Sequence, residues 1–223
     1  GQKPVRIEST PEVLRAMSEV SNEEITRLMA SPYILYVEGE SDERILRAWA
    51  DECGAQDAMD KVCFKSMGGG DKKDMHTQAQ EHFQALKQIV PNVSRLILFD
   101  YDDDAKWHPE ATNASVIEWG RKNIENYIIV SHAWKRAAAR QMQSGEDDLF
   151  AEPVLKSIDD FFIEQNLTLP PGKTWKNITA NIFKVVDGKR ILFEDKNSLF
   201  QLLRNGSPSV VLPRELVAMS MSK

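Results

Sequence analysis

Acidic residues directly follow two apolar runs of this chain. Glu38 comes after the run YILYV, and Asp42 lies four residues later, where a helix is expected to begin. Asp100 ends a later run, RLILFD, and Asp102 follows two residues beyond it. Both runs are typical of buried strands. Open parallel sheets bind ligands at the carboxyl ends of their strands, so we expect these four carboxylates to meet at one rim.

Gathered carboxylates need compensation for their mutual repulsion. Two negative charges about 4 Å apart repel by about 4 kcal/mol at an effective dielectric constant of about 20. Hard oxygen ligands collected in this way suit Mg²⁺ or Mn²⁺. The four histidines are scattered along the chain, which argues against a zinc site. Taken singly, each acid could be a solvated loop residue or a helix cap, but together they predict a metal site.

Two other ligand-binding motifs do not fit. An EF-hand beginning in DYDDDA fails because Ala105 stands where the calcium loop requires glycine and Ala111 where it requires glutamate. The segment GGGDK at residues 68–72 lacks the spacing of a Walker A phosphate loop. We interpret its glycines either as a flexible turn after a second strand or as a place where a phosphate closely approaches the backbone.

The order of predicted elements is typical of an α/β domain. Strands alternate with helices, which indicates a parallel sheet with right-handed crossovers. The first helix is predicted to start at the N-cap Ser41 and to continue through Cys53, and the second to cover residues 75–90 before Pro91. We predict a helical N-terminal segment at residues 1–30, the α/β domain at 31–131 and a helical domain at 132–223. The outer segments rest on apolar stripes at helical spacing: Val13, Leu14 and Met17; Val154, Leu155, Ile158, Phe161 and Phe162; Trp175, Ile178, Ile182 and Val185.

Composition narrows the class of protein. The 223 residues are 42% hydrophobic, yet no run approaches the roughly 18 apolar residues that a membrane span needs, and the N-terminus lacks the apolar core of a signal peptide. Cys53 and Cys63 are expected to be buried thiols, which fits a cytoplasmic location. Since Gly1 has no methionine before it, we expect a piece of a longer protein. The net charge of -6 argues against a nucleic-acid partner unless the acids hold metal.

The acidic motifs resemble those of a known fold. The segment VEGESD after the first strand and DYD after a later one resemble the TOPRIM fold of topoisomerases, primases and several nucleases. The glycine turn and RKNIENYII resemble more closely the OLD (overcoming lysogenization defect) family nucleases, over residues 33–130. This resemblance implies a TOPRIM-like Rossmannoid parallel sheet flanked by helices, followed by a mostly helical lobe. It also implies an upstream ABC-type ATPase domain, absent from this chain, and a possible homodimer of the full-length protein.

The resemblance assigns roles to individual residues. One divalent metal would be held by Asp100 and Asp102, while Glu38 and Asp42 would contribute to a metal pair. Glu125 matches the additional acid of that family near the second metal. The family also uses a basic residue in its helical part, which we assign to Lys196 in FEDKNSLFQLL, with Arg190 and Lys189 as alternatives.

These features predict a metal-dependent DNA endonuclease. Two Mg²⁺ or Mn²⁺ ions would activate water for phosphodiester hydrolysis and turn an acidic rim into a phosphate site. Topoisomerases of this superfamily use a tyrosine nucleophile, but Tyr101 should point away from the rim and Tyr127 lies in an apolar context, which favours hydrolysis over strand transfer. Two alternatives stay open: a phospho-acceptor, receiver-like signalling module, although receivers place their first acids adjacent, and a degenerate domain used only for assembly.

Overall fold

The computed structural model describes residues 20–102, 106–110, 113–143, 151–175 and 179–221. The predicted stripe of Val13, Leu14 and Met17 lies outside these residues, as does Ile178.

A parallel sheet forms as predicted, and it has four strands among the described residues. Its strands are β1 (Tyr33–Val37), β2 (Val62–Ser66), β3 (Ser94–Phe99) and β4 (Val116–Glu118), in the order β2-β1-β3-β4. Strand β1 is central, and its Tyr33 pairs with Val62 on one side and with Ser94 on the other. The coarse prediction of an α/β protein with a parallel sheet flanked by helices is confirmed.

Helices make up most of the remaining described chain. Helix α2 begins at Glu40, so the prediction of Ser41 as its N-cap is wrong: Ser41 is the second residue of the helix, and Asp42 lies in its first turn. Of the predicted helical stripe that begins at Trp175, only Ile182–Val185 is helical among the described residues, and Trp175 itself lies in a turn. The helices are α1 (Asn22–Ala30), α2 (Glu40–Glu52), α3 (Gln56–Met59), α4 (Lys72–Ile89), a 3-10 helix (Ile124–Ile128), α5 (Ser131–Met142), α6 (Glu152–Glu164), α7 (Ile182–Val185), a π-helix (Arg190–Glu194), α8 (Leu199–Gly206) and α9 (Arg214–Ala218).

The described residues group into two compact units. The sheet unit comprises residues 20–39, 57–98, 107–110 and 113–117, and the helical unit comprises the rest. This grouping differs from the expected division at residue 131, because α2 is grouped with the helices that follow. The physical reason is the apolar core, in which Ile45 and Ala48 of α2 belong to the same buried cluster as Trp134, Phe162 and Leu203.

The two cysteines differ in environment. Cys63 is buried in β2 as predicted, whereas Cys53 is exposed, so the prediction that Cys53 is a buried thiol is wrong. Helix α2 ends at Glu52, and the backbone turns at Gly54 with a φ of 68°. Cys53 therefore lies just beyond the end of the helix that was expected to bury it.

In the sheet unit, Glu24 connects α1 to the sheet. Its carboxylate accepts a hydrogen bond from Lys65 of β2 at 2.9 Å and closes a capping box with Ser21. Burial alone would raise the pKa of Glu24, but the hydrogen bonds from Lys65 and Ser21 outweigh it and lower that pKa. The charged carboxylate is thus the form that stabilises this unit.

We expect Glu24→Gln to lower the free energy of unfolding at pH 7 by about 0.5–1 kcal/mol. Because the pKa is depressed in the folded state, this contribution is present above the ordinary carboxyl pKa of about 4.3 and disappears as the pH falls through the folded value. Urea unfolding of both proteins at neutral and acid pH measures it, with the exposed Glu23→Gln as the matched control. A difference that persists undiminished in acid would contradict the assignment.

Candidate functional site

The sheet reverses its strand order between β1 and β3. Open α/β sheets bind ligands outside the carboxyl ends of their strands at such a reversal. Glu38 follows the last residue of β1, and Asp100 follows the last residue of β3. The strand ends on which the metal prediction depends are therefore formed by the expected residues.

A glycine turn follows β2 in the sheet unit. Gly68, Gly69 and Gly70 have φ values of 81°, 73° and 128°, a region that side chains disfavour. A Cβ on any of them would meet no atom within 4 Å, so backbone conformation rather than lack of space requires glycine. Ser66 Oγ accepts a hydrogen bond from Gly68 N and donates one to the Glu38 carbonyl, both at 3.3 Å. The turn thereby ties the residues after β2 to those after β1.

Four of the predicted acids belong to the helical unit. Asp42 is buried in the first turn of α2, and Glu125 is 1% exposed in the 3-10 helix. Asp100 and Asp102 are half-buried after β3, while Glu38 belongs to the sheet unit. Within the described ranges, no group of three or more histidine, cysteine, aspartate or glutamate side chains is gathered closely enough to hold a metal ion.

Glu125 is paired with an arginine from the C-terminal helix. Its Oε1 lies 2.8 Å from Nε of Arg214 at the start of α9. Arg214 also reaches Glu194 Oε1 at 3.5 Å, and its Cζ lies 4.4 Å from the centroid of the Phe193 ring. The guanidinium thus compensates the charge of a carboxylate that is almost completely buried.

A lysine that the local sequence did not single out lies beside the Asp-Tyr-Asp segment. Tyr101 is the residue between Asp100 and Asp102. Lys184 Nζ lies 4.0 Å from the centroid of its ring. The Lys184 carbonyl accepts a hydrogen bond from Lys122 N at 2.8 Å, which fixes the backbone of α7 near residue 122. Lys184 is flanked by apolar residues in IFKVV, so its neighbours in the chain suggest only a helical surface position.

The basic residues named from the sequence have other surroundings. Lys196 is exposed in the turn between the π-helix and α8. Lys189 lies 3.6 Å from Glu194, and Arg190 lies 3.7 Å from Asp195. Each of these two alternatives is therefore near an acid of its own segment.

Asn126 fixes the segment that carries Lys184. This completely buried amide donates from Nδ2 to the carbonyls of Phe183 at 3.1 Å and Val186 at 2.7 Å, and its Oδ1 accepts from Gly188 N at 3.0 Å. A Cβ at Gly188 would overlap Asn126 Oδ1. The second asparagine of KNIEN therefore holds residues 183–188 against the 3-10 helix that contains Glu125.

Both tyrosines near the site make specific contacts. The Tyr127 hydroxyl accepts a hydrogen bond from Gly120 N at 3.1 Å, and its ring packs against Trp119 and the Arg121 guanidinium. The ring of Tyr101 lies under Lys184. Tyr127 is therefore anchored to the backbone as well as packed among rings, a more polar setting than the predicted apolar context.

The donor set fits a hard divalent cation. Asp42, Asp100, Asp102 and Glu125 offer only carboxylate oxygens, the ligands that Mg²⁺ and Mn²⁺ prefer. Their chemistry suits such an ion, but the described structure does not show three or more of these carboxylates gathered around one position.

The comparisons with protein-family models, with curated proteins and with solved structures return no match. Within the described ranges, no helix is both long enough and apolar enough to span a membrane.

Proposed function

We propose that this chain is a metal-dependent DNA endonuclease that hydrolyses phosphodiester bonds. The observation that carries the proposal is the Asp-Tyr-Asp segment directly after β3, at the reversal of the strand order, with Lys184 Nζ 4.0 Å from the ring of its tyrosine. Hydrolysis of an anionic backbone requires carboxylates that bind metal cations and a positively charged side chain that binds phosphate.

Residues of the helical unit have separate roles in the proposed reaction. Asp100, Asp102, Asp42 and Glu125 supply carboxylates for Mg²⁺ or Mn²⁺, and the two bound ions would activate a water and stabilise the leaving oxygen. Lys184 supplies a positive charge to a non-bridging phosphate oxygen. In this proposal it takes the place of Lys196 as the basic residue of the helical part. Glu38 of the sheet unit is assigned by the resemblance alone.

The wider parts of the proposal depend on the resemblance to OLD family nucleases. They are a TOPRIM-like fold, an upstream ABC-type ATPase domain, a homodimer of the longer protein and a cytoplasmic location. Hydrolysis is favoured over transfer of a DNA strand to tyrosine by the surroundings of Tyr127 and Tyr101. The first hydroxyl is hydrogen-bonded to Gly120 N, and the second tyrosine has its ring beneath Lys184.

A receiver-like signalling module is the second candidate. The order β2-β1-β3-β4 is also that of the first four strands of flavodoxin-like sheets, which include receivers. In a receiver, Asp100 would accept a phosphoryl group. Incubation with acetyl phosphate distinguishes the two candidates, since a receiver gains a phosphoryl group and leaves plasmid intact.

We expect the protein to nick supercoiled plasmid with Mg²⁺ or Mn²⁺ and without ATP, and Lys184→Gln to slow cleavage by about 10²- to 10³-fold. Lys196→Gln is the matched control, because the same change in an exposed turn should leave the rate within about twofold. Gel assays of nicked and linear plasmid measure both rates, and melting curves verify folding. Intact plasmid with both ions over a broad protein range would overturn the function, while equal rates for the two variants would overturn the role of Lys184.

A further inference from the structure

The Arg214 guanidinium lies within reach of two carboxylates that differ in environment. Glu125 is 1% exposed and accepts from Arg214 Nε at 2.8 Å. Glu194 has a side chain that is 50% exposed and lies 3.5 Å from Arg214 Nη2. The Phe193 ring lies beneath the guanidinium and precedes Glu194 in the chain. Arg214 can therefore exchange Glu125 for Glu194 by a short movement across one aromatic face.

This arrangement conflicts with metal binding at Glu125. A carboxylate that accepts a close hydrogen bond from a guanidinium already has its charge compensated, and a divalent cation placed beside it would be repelled by the arginine. Metal binding at Glu125 therefore requires Arg214 to withdraw. Glu194 offers the withdrawn guanidinium an acceptor that is already within ion-pair distance, and it shares that oxygen with Lys189 at 3.6 Å.

Helix α9 connects this contact to a second acid. Arg214 is its first residue, and α9 packs against both the 3-10 helix of Glu125 and α2, whose first turn contains the buried Asp42. Arg214 therefore begins a helix that contacts the elements carrying two of the proposed metal ligands.

We infer that Arg214 is an internal cation that occupies Glu125 in the metal-free protein and transfers to Glu194 when a divalent ion binds. Arg214 and Glu194 together then set the metal affinity of the site without either one coordinating the metal. This inference rests on the proposed metal-dependent function and makes Arg214 a positioning residue.

A Mn²⁺ titration of the melting temperature tests the exchange without relying on cleavage. Arg214→Gln should melt lower than the wild type in chelator, because it leaves buried Glu125 without its counter-ion. The Mn²⁺ concentration for half of the maximal stabilisation should fall about tenfold in this variant, because the competing cation is gone. Glu194→Gln should melt like the wild type in chelator yet require more Mn²⁺, and Arg214→Lys should restore most of the wild-type behaviour.

Four results would overturn the inference. If Arg214→Gln lowers the melting temperature equally with and without Mn²⁺, the arginine is structural and the inference is overturned. If that variant does not fold, Glu194→Gln decides, and an unchanged Mn²⁺ requirement there overturns the exchange. A wild-type Mn²⁺ response that Asp100→Asn removes but Arg214→Gln leaves unchanged overturns this inference alone. A wild type that Mn²⁺ does not stabilise overturns the proposed function with it.

Discussion

Replacing Asp100 by asparagine is expected to abolish plasmid cleavage while leaving the unfolding free energy in chelator unchanged or raised by about 0–2 kcal/mol. The amide keeps the shape of the side chain but removes one negative charge. Asp102 is only two residues away, so the loss of that charge should relieve repulsion in the metal-free protein and remove a proposed metal ligand at the same time.

Mn²⁺ separates this expectation from the structural alternative. The ion should stabilise the wild type by linkage and Asp100→Asn much less. If Asp100 only caps the turn after β3, the variant should melt lower and still cut DNA, which would exclude a metal role for this residue. Asp51→Asn is the matched control, since Asp51 is exposed on α2 and the same chemical change there should affect neither property.

Asn126→Ala is expected to lower the free energy of unfolding by about 3–4 kcal/mol, because several buried hydrogen bonds are lost together. The truncation removes the Asn126 bonds to the Phe183 and Val186 carbonyls and to the Gly188 amide, although Gly188 N keeps its bond to the Val186 carbonyl at 3.0 Å. The segment that carries Lys184 would lose its attachment, so cleavage should fall more than stability alone explains. Urea unfolding and single-turnover cleavage measure the two effects.

Gly188→Ala tests the same contact from the other side. Its Cβ would overlap Asn126 Oδ1 and lie 3.1 Å from Asn123 Oδ1, so the change should be strongly destabilising in the wild type. It should cost less in the Asn126→Ala background, because the overlap with Oδ1 disappears, while the contact with the backbone nitrogen of residue 126 at 3.0 Å remains. Gly206→Ala is the control, since a Cβ there meets nothing within 4 Å. Equal costs of Gly188→Ala in both backgrounds would show that Asn126 does not set this contact.

The sequence predicted the sheet because its signals are local. Strands β1 and β3 are short apolar runs, and the acid after each run indicates where the strand leaves the core, as at Val37–Glu38 and Phe99–Asp100. Helix α4 was predicted for the same reason, since Pro91 sets a local limit on it. Periodicity and turn residues were sufficient for these elements.

The contacts of the site could not be predicted in this way. Arg214 meets Glu125, and Lys184 meets Tyr101, only because the fold brings distant segments together, and nothing in the neighbouring residues indicates either partner. Lys196 is assigned by the resemblance to a family motif, and its local sequence does not show that it lies in an exposed turn. Cys53 shows a second limit of sequence patterns. The spacing of apolar residues does not indicate that the helix ends at Glu52, one residue before Cys53.

The central position of β1 has a consequence for how the chain acquires its structure. Tyr33 pairs with Val62 and with Ser94, so neither neighbour of the first strand can be added by a short hairpin. Each pairing must close a long loop before its hydrogen bonds form, which slows assembly of the sheet. During synthesis from the N-terminus, one edge of β1 would remain open until β3 emerges. Asp100, directly after β3, can therefore reach its native position only after the longer of these two loops has closed.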